Sequence, residues 1–92
     1  MKLIWSTPAL RDLQEVFEYI GMENKAAARH VVRHIKSSAA LLQNTPLIGR
    51  RGSREGTREL VISKYPYVLM YSVGRDRVEI ERVIHTSRMW PD

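Results

Sequence analysis

Residues 57–85, TRELVISKYPYVLMYSVGRDRVEIERVIH, carry the pattern that decides the fold. Three runs rich in branched and aromatic residues lie within it, at 57–63, 67–73 and 78–85. The runs are separated by KYP at 64–66 and by GRDR at 74–77. Branched and aromatic residues favour strands, whereas proline and glycine favour the turns between them. The stretch therefore predicts a three-stranded antiparallel meander.

Upstream of the meander, the pattern predicts a short strand and a helix. Residues 2–6 alternate as a strand does, and Ser6 followed by Thr7 and Pro8 is typical of a helix start. Gly21 suits the end of this helix. Apolar residues spaced three and four apart form a single stripe along it: Leu10, Leu13, Val16, Phe17 and Ile20.

A second helix follows a short loop. Asn24 can cap it, and we expect it to end at about residue 43. Its apolar stripe comprises Ala28, Val31 or Val32, Ile35, Ala39 and Leu42. The short loop predicts an antiparallel helical hairpin. We therefore expect a single α+β domain over residues 1–92, ordered β-α-α-β-β-β, with the hairpin packed on a mainly antiparallel four-stranded sheet.

Composition excludes several classes of site. The 92 residues include no cysteine, which rules out disulfides, zinc fingers and thiol nucleophiles. His30 and His34 have the i, i+4 spacing of metal ligands, but no third ligand accompanies them. We expect neither a metal nor a cofactor. No secretory signal and no run long enough to span a membrane is visible, so we expect a cytoplasmic protein without membrane contact.

The charge balance favours an anionic partner. Fifteen Lys and Arg against ten Asp and Glu give a net charge of +5. Arg50, Arg51, Arg54 and Arg58 lie within nine residues, and the planar guanidinium fork matches a phosphate or carboxylate. The alternative is a loop whose arginines are simply solvated. In the second helix, Arg29, Arg33 and Lys36 sit four and three apart and form a basic face.

Arg82 conflicts with the alternation of its strand. One face of the strand would carry Val78, Ile80, Arg82 and Ile84, and the other Glu79, Glu81, Val83 and His85. If the first face is buried, an unpaired guanidinium would be buried with it, which is unfavourable. Either a bulge redirects the strand near Arg82, or Arg82 pairs with a carboxylate such as Glu59 or Glu81.

Two other residue types have both a chemical and a structural interpretation. His85 could act as a general acid or base near neutral pH, or serve as a structural hydrogen-bonding group at a strand end. Trp90 and Tyr71 could stack on bases, but aromatic residues also fill small cores and interfaces.

The chain resembles the RelE/ParE superfamily, the small toxins of bacterial type II toxin–antitoxin modules. The resemblance rests on the order of elements, GTREL at 56–60, YPYxxxY at 65–71 and the ending RVIHxxRxW at 82–90. It spans almost the whole chain, and its specificity comes from the order and spacing of the motifs together.

The resemblance implies a toxin that a cognate antitoxin neutralises by wrapping a helix and an extended segment around it. We expect a hetero-oligomer that binds operator DNA only through the antitoxin. The residues expected to bind the antitoxin lie on the helical hairpin and on the strand surfaces: Leu13, Phe17, Tyr67, Leu69 and Tyr71.

The superfamily divides on its target. ParE-like members poison DNA gyrase, whereas RelE-like members cleave mRNA on the ribosome. A RelE-like activity would use Arg58 and Arg82 to stabilise phosphate and His85 as acid or base. The residues expected to contact the target or a nucleic acid are Arg50, Arg51, Arg54, Arg88 and Trp90.

Two departures favour the ParE-like function. Arginines replace the lysine-rich stretch of RelE ahead of the predicted strand at 57–63, and Trp90 stands where RelE itself uses a catalytic tyrosine. We therefore expect a gyrase inhibitor, with a ribosome-dependent endoribonuclease as the alternative. A third possibility is a non-toxic relic that only binds its partner.

Overall fold

The computed structural model describes residues 1–88, so the expected contact residue Trp90 lies outside the described part. The elements follow in this order: β1 (Lys2–Trp5), α1 (Thr7–Gly21), α2 (Lys25–Leu41), β2 (Arg50–Arg51), β3 (Thr57–Val61), β4 (Tyr67–Val73), β5 (Arg77–His85) and a 3-10 turn (Thr86–Arg88). The predicted helical hairpin and the predicted meander are both present. The α+β fold is confirmed.

Both helices begin at the residues that the sequence indicates. The Ser6 side chain accepts a hydrogen bond from the Ala9 amide at 3.1 Å, and Pro8 lies in the first turn of α1. The Asn24 carbonyl oxygen Oδ1 accepts from the Ala27 amide at 2.9 Å. Each cap satisfies an amide that the first helical turn leaves without a backbone partner.

The sheet has five strands in the order β1-β5-β4-β3-β2. β1 runs parallel to β5, and the other neighbours are antiparallel. We expected four strands and a loop at 50–56, so β2 is a correction. Arg50 and Arg51 pair with Glu59 and Arg58, because the 52–56 turn folds the chain back onto β3. The Gly52 amide closes this turn by donating to the Thr57 carbonyl at 2.8 Å.

The helical hairpin covers one face of the sheet. The core joins both helices to β4 and β5, and its members are largely aliphatic, with two tyrosines from β4. The predicted stripe of α2 is buried, with Val31 rather than Val32 as its fully buried valine. From β4, alternate residues Tyr67, Leu69 and Tyr71 enter this core.

The buried stripe of α1 differs from the prediction. Leu13 and Val16 are buried as expected, but Leu10 is 51% exposed and Phe17 is 37% exposed. Asp12 instead faces the protein interior, with only 8% of its surface exposed. The helix is rotated relative to the apolar pattern because Asp12 bonds to β5, as described below.

A β-bulge resolves the conflict at Arg82. Tyr71 pairs with Ile80 and Met70 pairs with Arg82, so Glu81 has no partner in β4. The extra residue shifts the alternation of β5, and Val78, Ile80 and Val83 are buried while Arg82 is exposed. The bulge that the sequence offered as one of two solutions is confirmed.

Over residues 1–88, no helix is long and apolar enough to cross a membrane.

Candidate functional site

A groove opens between α1 and the second half of β5. β1 ends at Trp5, which pairs with Ile80, so no described strand covers the edge of β5 beyond that point. α1 passes alongside this edge and leaves a groove of about 490 Å³. Its lining combines acidic, basic and aromatic side chains: Asp12, Glu15, Val16, Tyr19, Tyr67, Val83, His85, Ser87 and Arg88.

Asp12 binds the uncovered edge of β5 to α1. Its Oδ2 accepts a hydrogen bond from the Val83 amide at 2.9 Å. The guanidinium of Arg82 donates to the same carboxylate through Nε at 2.8 Å and Nη2 at 3.0 Å. A carboxylate on a helix thus replaces the missing neighbouring strand at this position. Asp12 therefore occupies one amide of the uncovered edge, and no described strand lies beside the rest of it.

Arg82 is committed to this pair. Its hydrogen bonds to Asp12, and the charge of that carboxylate, raise the pKa of Arg82 above its ordinary value. The sequence had suggested Glu59 or Glu81 as partners, and both suggestions are wrong. Glu59 pairs with Arg50 at 3.0 Å, and Glu81 pairs with Arg54. Asp12 was missed because it lies off the apolar stripe of α1 and 70 residues from Arg82 in the chain.

His85 lies at the far end of the groove. Its Nδ1 is 2.9 Å from Ser87 Oγ and accepts from the Ser87 amide at 3.1 Å. Its ring meets the Tyr67 ring edge to face, with the centroids 5.3 Å apart. Arg88 lines the same groove and is exposed. The half-buried His85 and the exposed Arg88 therefore both line this end of the groove.

Tyr71 and Arg58 hold the segment before β2. The Tyr71 hydroxyl donates to the Pro46 carbonyl at 2.8 Å and accepts from the Gly49 amide at 2.9 Å. Arg58 donates through Nη1 to the Gly49 carbonyl at 2.8 Å. Burial raises the pKa of the Tyr71 phenol, although the Gly49 bond and the Arg58 charge act in the opposite direction. Tyr71 is wholly buried and is not presented for stacking on a base.

The three residues suggested for RNA cleavage lie on two strands, β3 and β5. Arg82 and His85 are three residues apart on β5, and His85 lines the groove whereas Arg82 bonds to the groove residue Asp12. Arg58 lies on β3, on the far side of β4, which places the two strands about 10 Å apart. Both arginines already donate to protein oxygens. Each arginine is therefore bonded within the fold, and the three side chains come from two strands that β4 separates.

The arginine-rich turn is partly tied to the sheet. Arg50 bonds to the carboxylate of Glu59, which is 7% exposed, and Arg54 bonds to Glu81 in the bulge. Arg51 is exposed at the end of β2. The ion pairs fix the turn against β3 and β5, so it is not simply a solvated loop.

Most residues expected to bind an antitoxin belong to the core. Leu13, Leu69 and Tyr71 are buried, and Tyr67 is buried except where it lines the groove. Phe17 is partly exposed. Tyr19, which the sequence reasoning did not include, is 73% exposed and also lines the groove. Its position off the apolar stripe of an amphipathic helix is consistent with this exposure.

No metal centre is found within residues 1–88, where no three His, Asp or Glu side chains come close enough to share an ion. His34 instead packs edge to face on Tyr65 at 5.3 Å and lies 3.4 Å from Ser63 Oγ.

The fold is shared with chains from solved toxin–antitoxin systems. A chain of the chromosomal ParDE TA system from P. aeruginosa superposes with a TM-score of 0.84 at 24% identity, over 92% of this chain and 95% of that one. A chain of the E. coli DinJ-YafQ toxin-antitoxin complex gives a TM-score of 0.64 at 18% identity, over 98% and 97% of the two chains. At these identities, the likeness establishes the fold.

Sequence relatives extend the likeness over nearly the full length. Y4kP of Sinorhizobium fredii, which carries a toxin name, is 39% identical over 90 residues, or 98% of this chain and 93% of Y4kP. Toxin RelE2 of Caulobacter vibrioides is 34% identical over 88 residues, or 96% of this chain and 98% of RelE2. The family described as the ParE toxin of type II toxin-antitoxin system, parDE, matches residues 3–90. The chain therefore belongs to the ParE toxin family of type II toxin–antitoxin systems, within the RelE/ParE superfamily.

Proposed function

We propose that this protein is a ParE-like toxin that inhibits DNA gyrase in the cytoplasm and is neutralised by a cognate antitoxin. The observation that carries the choice of target is the occupation of the two arginines expected to stabilise phosphate. Arg82 donates twice to Asp12, and Arg58 donates to the Gly49 and Leu47 carbonyls. A nuclease needs such groups aimed at the reacting phosphate. Their use in holding the fold favours a toxin that acts by binding.

The family match and the fold give further support. The matching family is that of ParE toxins, and the TM-score is higher for the ParDE chain than for the DinJ-YafQ chain. For contacts to gyrase, we propose the exposed arginines Arg51 and Arg88. They carry charge that no described carboxylate neutralises, so they can pair with acidic groups of a target.

The antitoxin, in this proposal, occupies the groove between α1 and β5. The edge of β5 beyond Ile80 has no strand beside it, so an extended segment can add there. Tyr19 and the partly exposed Phe17 offer apolar surface on α1 for a helical segment. The toxin and antitoxin would form a hetero-oligomer, and operator DNA would be read through the antitoxin.

Ribosome-dependent mRNA cleavage is the second candidate. It is favoured by His85, which lines the open groove close to Arg88 and near a pair of phenols. If the protein is a nuclease, His85 is the acid or base, and Arg82 would have to leave Asp12 to reach phosphate.

Induction of the chain alone in bacterial cells separates the candidates. The readouts are supercoiling of a reporter plasmid, supercoiling by purified gyrase, and mRNA ends mapped by primer extension. We expect loss of negative supercoiling without new mRNA ends. The variant Arg51→Ala/Arg88→Ala should restore supercoiling, while Arg75→Ala, which removes an exposed arginine from the β4–β5 turn, should not.

The other outcomes are equally decisive. New mRNA ends positioned by codons, lost in His85→Ala, would replace the gyrase proposal with the nuclease. Growth without any defect would indicate a non-toxic relic. Relief of toxicity upon co-production of the neighbouring antitoxin is expected under either toxic activity, so it tests neutralisation alone.

A further inference from the structure

The two helices of the hairpin carry opposite charge. α1 has Asp12, Glu15 and Glu18 against Arg11, which gives 1 − 3 = −2. α2 has four cations and no acidic residue, which gives +4: Lys25, Arg29, Arg33 and Lys36. The net positive charge of the molecule is therefore concentrated on one side of the hairpin.

The four cations form one line, the α2 stripe. They are spaced four, four and three residues apart, so they fall within about 80° of the helix surface and span about 16 Å. All four are exposed. Within residues 1–88, none of them forms an ion pair with a carboxylate. Their charge is therefore available to a partner.

The surface around the stripe does not suit a protein partner. The exposed residues between and beside the cations are small or polar: Ala26, His30, Ser37 and Ala40. Protein interfaces are organised around buried aromatic or aliphatic anchors. The one large apolar residue of α2 that is well exposed, Leu41, lies beyond the edge of the stripe, eight residues after Arg33 and about 80° around the helix from it. The exposed aromatic residues Phe17 and Tyr19 are on α1 instead.

We infer that the α2 stripe binds the phosphate backbone of duplex DNA without sequence preference. A rigid helix holds its cations at fixed intervals of about 6, 6 and 4.5 Å. A duplex presents phosphates in a similarly rigid array, at about 3.4 Å of rise per phosphate on each strand. Because each strand winds around the duplex axis, a straight row of about 16 Å contacts phosphates where it crosses the backbone rather than a continuous run along one strand. The mostly small flanking side chains let the two surfaces approach closely.

This site is separate from those already described. It lies on α2, whereas the groove lies beside α1 and the proposed gyrase contacts lie at β2 and the C-terminal turn. It does not depend on gyrase inhibition. It also differs from operator recognition, since phosphate contacts carry no sequence information directly. Its effect would be to hold the toxin, or its complex, near DNA.

The test measures binding of the full chain to a fluorescent random-sequence duplex of about 20 base pairs, between about 50 and 200 mM salt. If four phosphates are neutralised, the logarithm of the affinity should fall with the logarithm of salt with a slope of about −3.6. The test variant replaces all four stripe cations: Lys25→Gln, Arg29→Gln, Arg33→Gln and Lys36→Gln. It should bind at least about tenfold more weakly, with a slope near zero.

A matched variant removes the same charge elsewhere: Lys2→Gln, Arg11→Gln, Lys64→Gln and Arg75→Gln, all exposed positions. It should keep most of the slope. Equal losses in both variants would overturn the proposal, because net charge alone would then explain binding. Glutamine is as good a helix former as lysine or arginine, so the stripe variant should stay folded by circular dichroism. The double variant Arg29→Gln/Arg33→Gln provides a milder test and should reduce the slope by about 2.

Competitors identify the class of partner. Unlabelled duplex should displace the probe more effectively than a single strand of equal phosphate content or poly-glutamate. Better displacement by the single strand would overturn the assignment to duplex DNA. Better displacement by poly-glutamate would assign the stripe to an acidic protein.

Discussion

Asp12 on α1 and Arg82 on β5 form a two-point ion pair, with Nε to Oδ2 at 2.8 Å and Nη2 to Oδ1 at 3.0 Å. The same carboxylate accepts the Val83 amide. One side chain thus fixes the rotation of α1, the direction of Arg82 and the edge of β5. The groove owes its shape to this contact.

Asp12→Ala should destabilise the fold more than Arg82→Ala. Removing the carboxylate leaves the buried Val83 amide without an acceptor and the guanidinium without a partner, which costs about 2 kcal/mol. Removing Arg82, whose side chain is 46% exposed, leaves Asp12 bonded to Val83 and costs about 1 kcal/mol or less. Urea unfolding measures both, with Glu18→Ala as an exposed control on the same helix. A larger loss in Arg82→Ala would contradict the role assigned to Asp12.

Gly49→Ala should be strongly destabilising. An added Cβ would lie 2.5 Å from the Tyr71 hydroxyl and 2.8 Å from the Glu59 carbonyl oxygen, so β2 and the Tyr71 bonds must shift. We expect a loss of about 2 kcal/mol in the free energy of unfolding. Gly21→Ala is the matched control, because its Cβ would meet only Ala28 at 3.7 Å. Similar stabilities for the two variants would show that Gly49 is not closely packed.

Tyr67→Phe should reduce the loss of stability at alkaline pH. Burial, with a smaller contribution from Tyr19, raises the pKa of the Tyr67 phenol above its ordinary 10.0. Above pH 10.0 the unfolded chain ionises this phenol while the folded chain keeps it neutral, so stability falls as pH rises. Below that pH the effect is absent, and Tyr67→Phe should match the parent within about 0.5 kcal/mol.

The measurement is thermal or urea unfolding at several pH values on either side of the ordinary tyrosine value. Tyr65→Phe removes a phenol outside the groove and serves as the control. An unchanged alkaline slope in Tyr67→Phe would assign the effect to another group, Tyr71 first, since burial raises its pKa too.

Tyr19→Ala should weaken antitoxin binding without unfolding the toxin. Tyr19 is 73% exposed and lines the groove, so its truncation removes apolar contact area from the proposed interface. A central aromatic anchor contributes about 2 kcal/mol or more, which corresponds to about 30-fold in Kd. Titration calorimetry with the cognate antitoxin measures the change. Leu41→Ala, at an exposed position on α2, is the control, and an equal effect there would place the interface elsewhere.

Local signals in the sequence were sufficient for the elements themselves. Ser6 and Asn24 accept hydrogen bonds from amides three residues away, so the local sequence is enough to predict their capping role. The bounds of β4 matched the prediction because glycine and proline mark both flanking turns. The short strand β2 escaped notice because two arginines carry no strand pattern, and their pairing depends on the turn that brings them to β3.

The side-chain partners were less accessible to sequence reasoning. Alternation exposed the conflict at Arg82 and offered a bulge as a solution, and the bulge is present. It could not identify the carboxylate, because any acidic residue brought near by the fold would satisfy the same requirement. The family resemblance placed Tyr71 and Leu69 on an antitoxin-binding surface, and in the structure both side chains are completely buried.

The sequence by itself determined the two capped helices, the meander and the basic face of α2, because each depends on contacts or spacings within a few residues. Membership of the toxin family could also be read from the order of motifs. Tertiary structure alone decided the rotation of α1, the pairing of Asp12 with Arg82 and the groove beside β5. These features depend on where β1 ends relative to β5 and on a contact between residues 70 positions apart in the sequence. Local residue preferences act over a few positions and cannot predict such a contact.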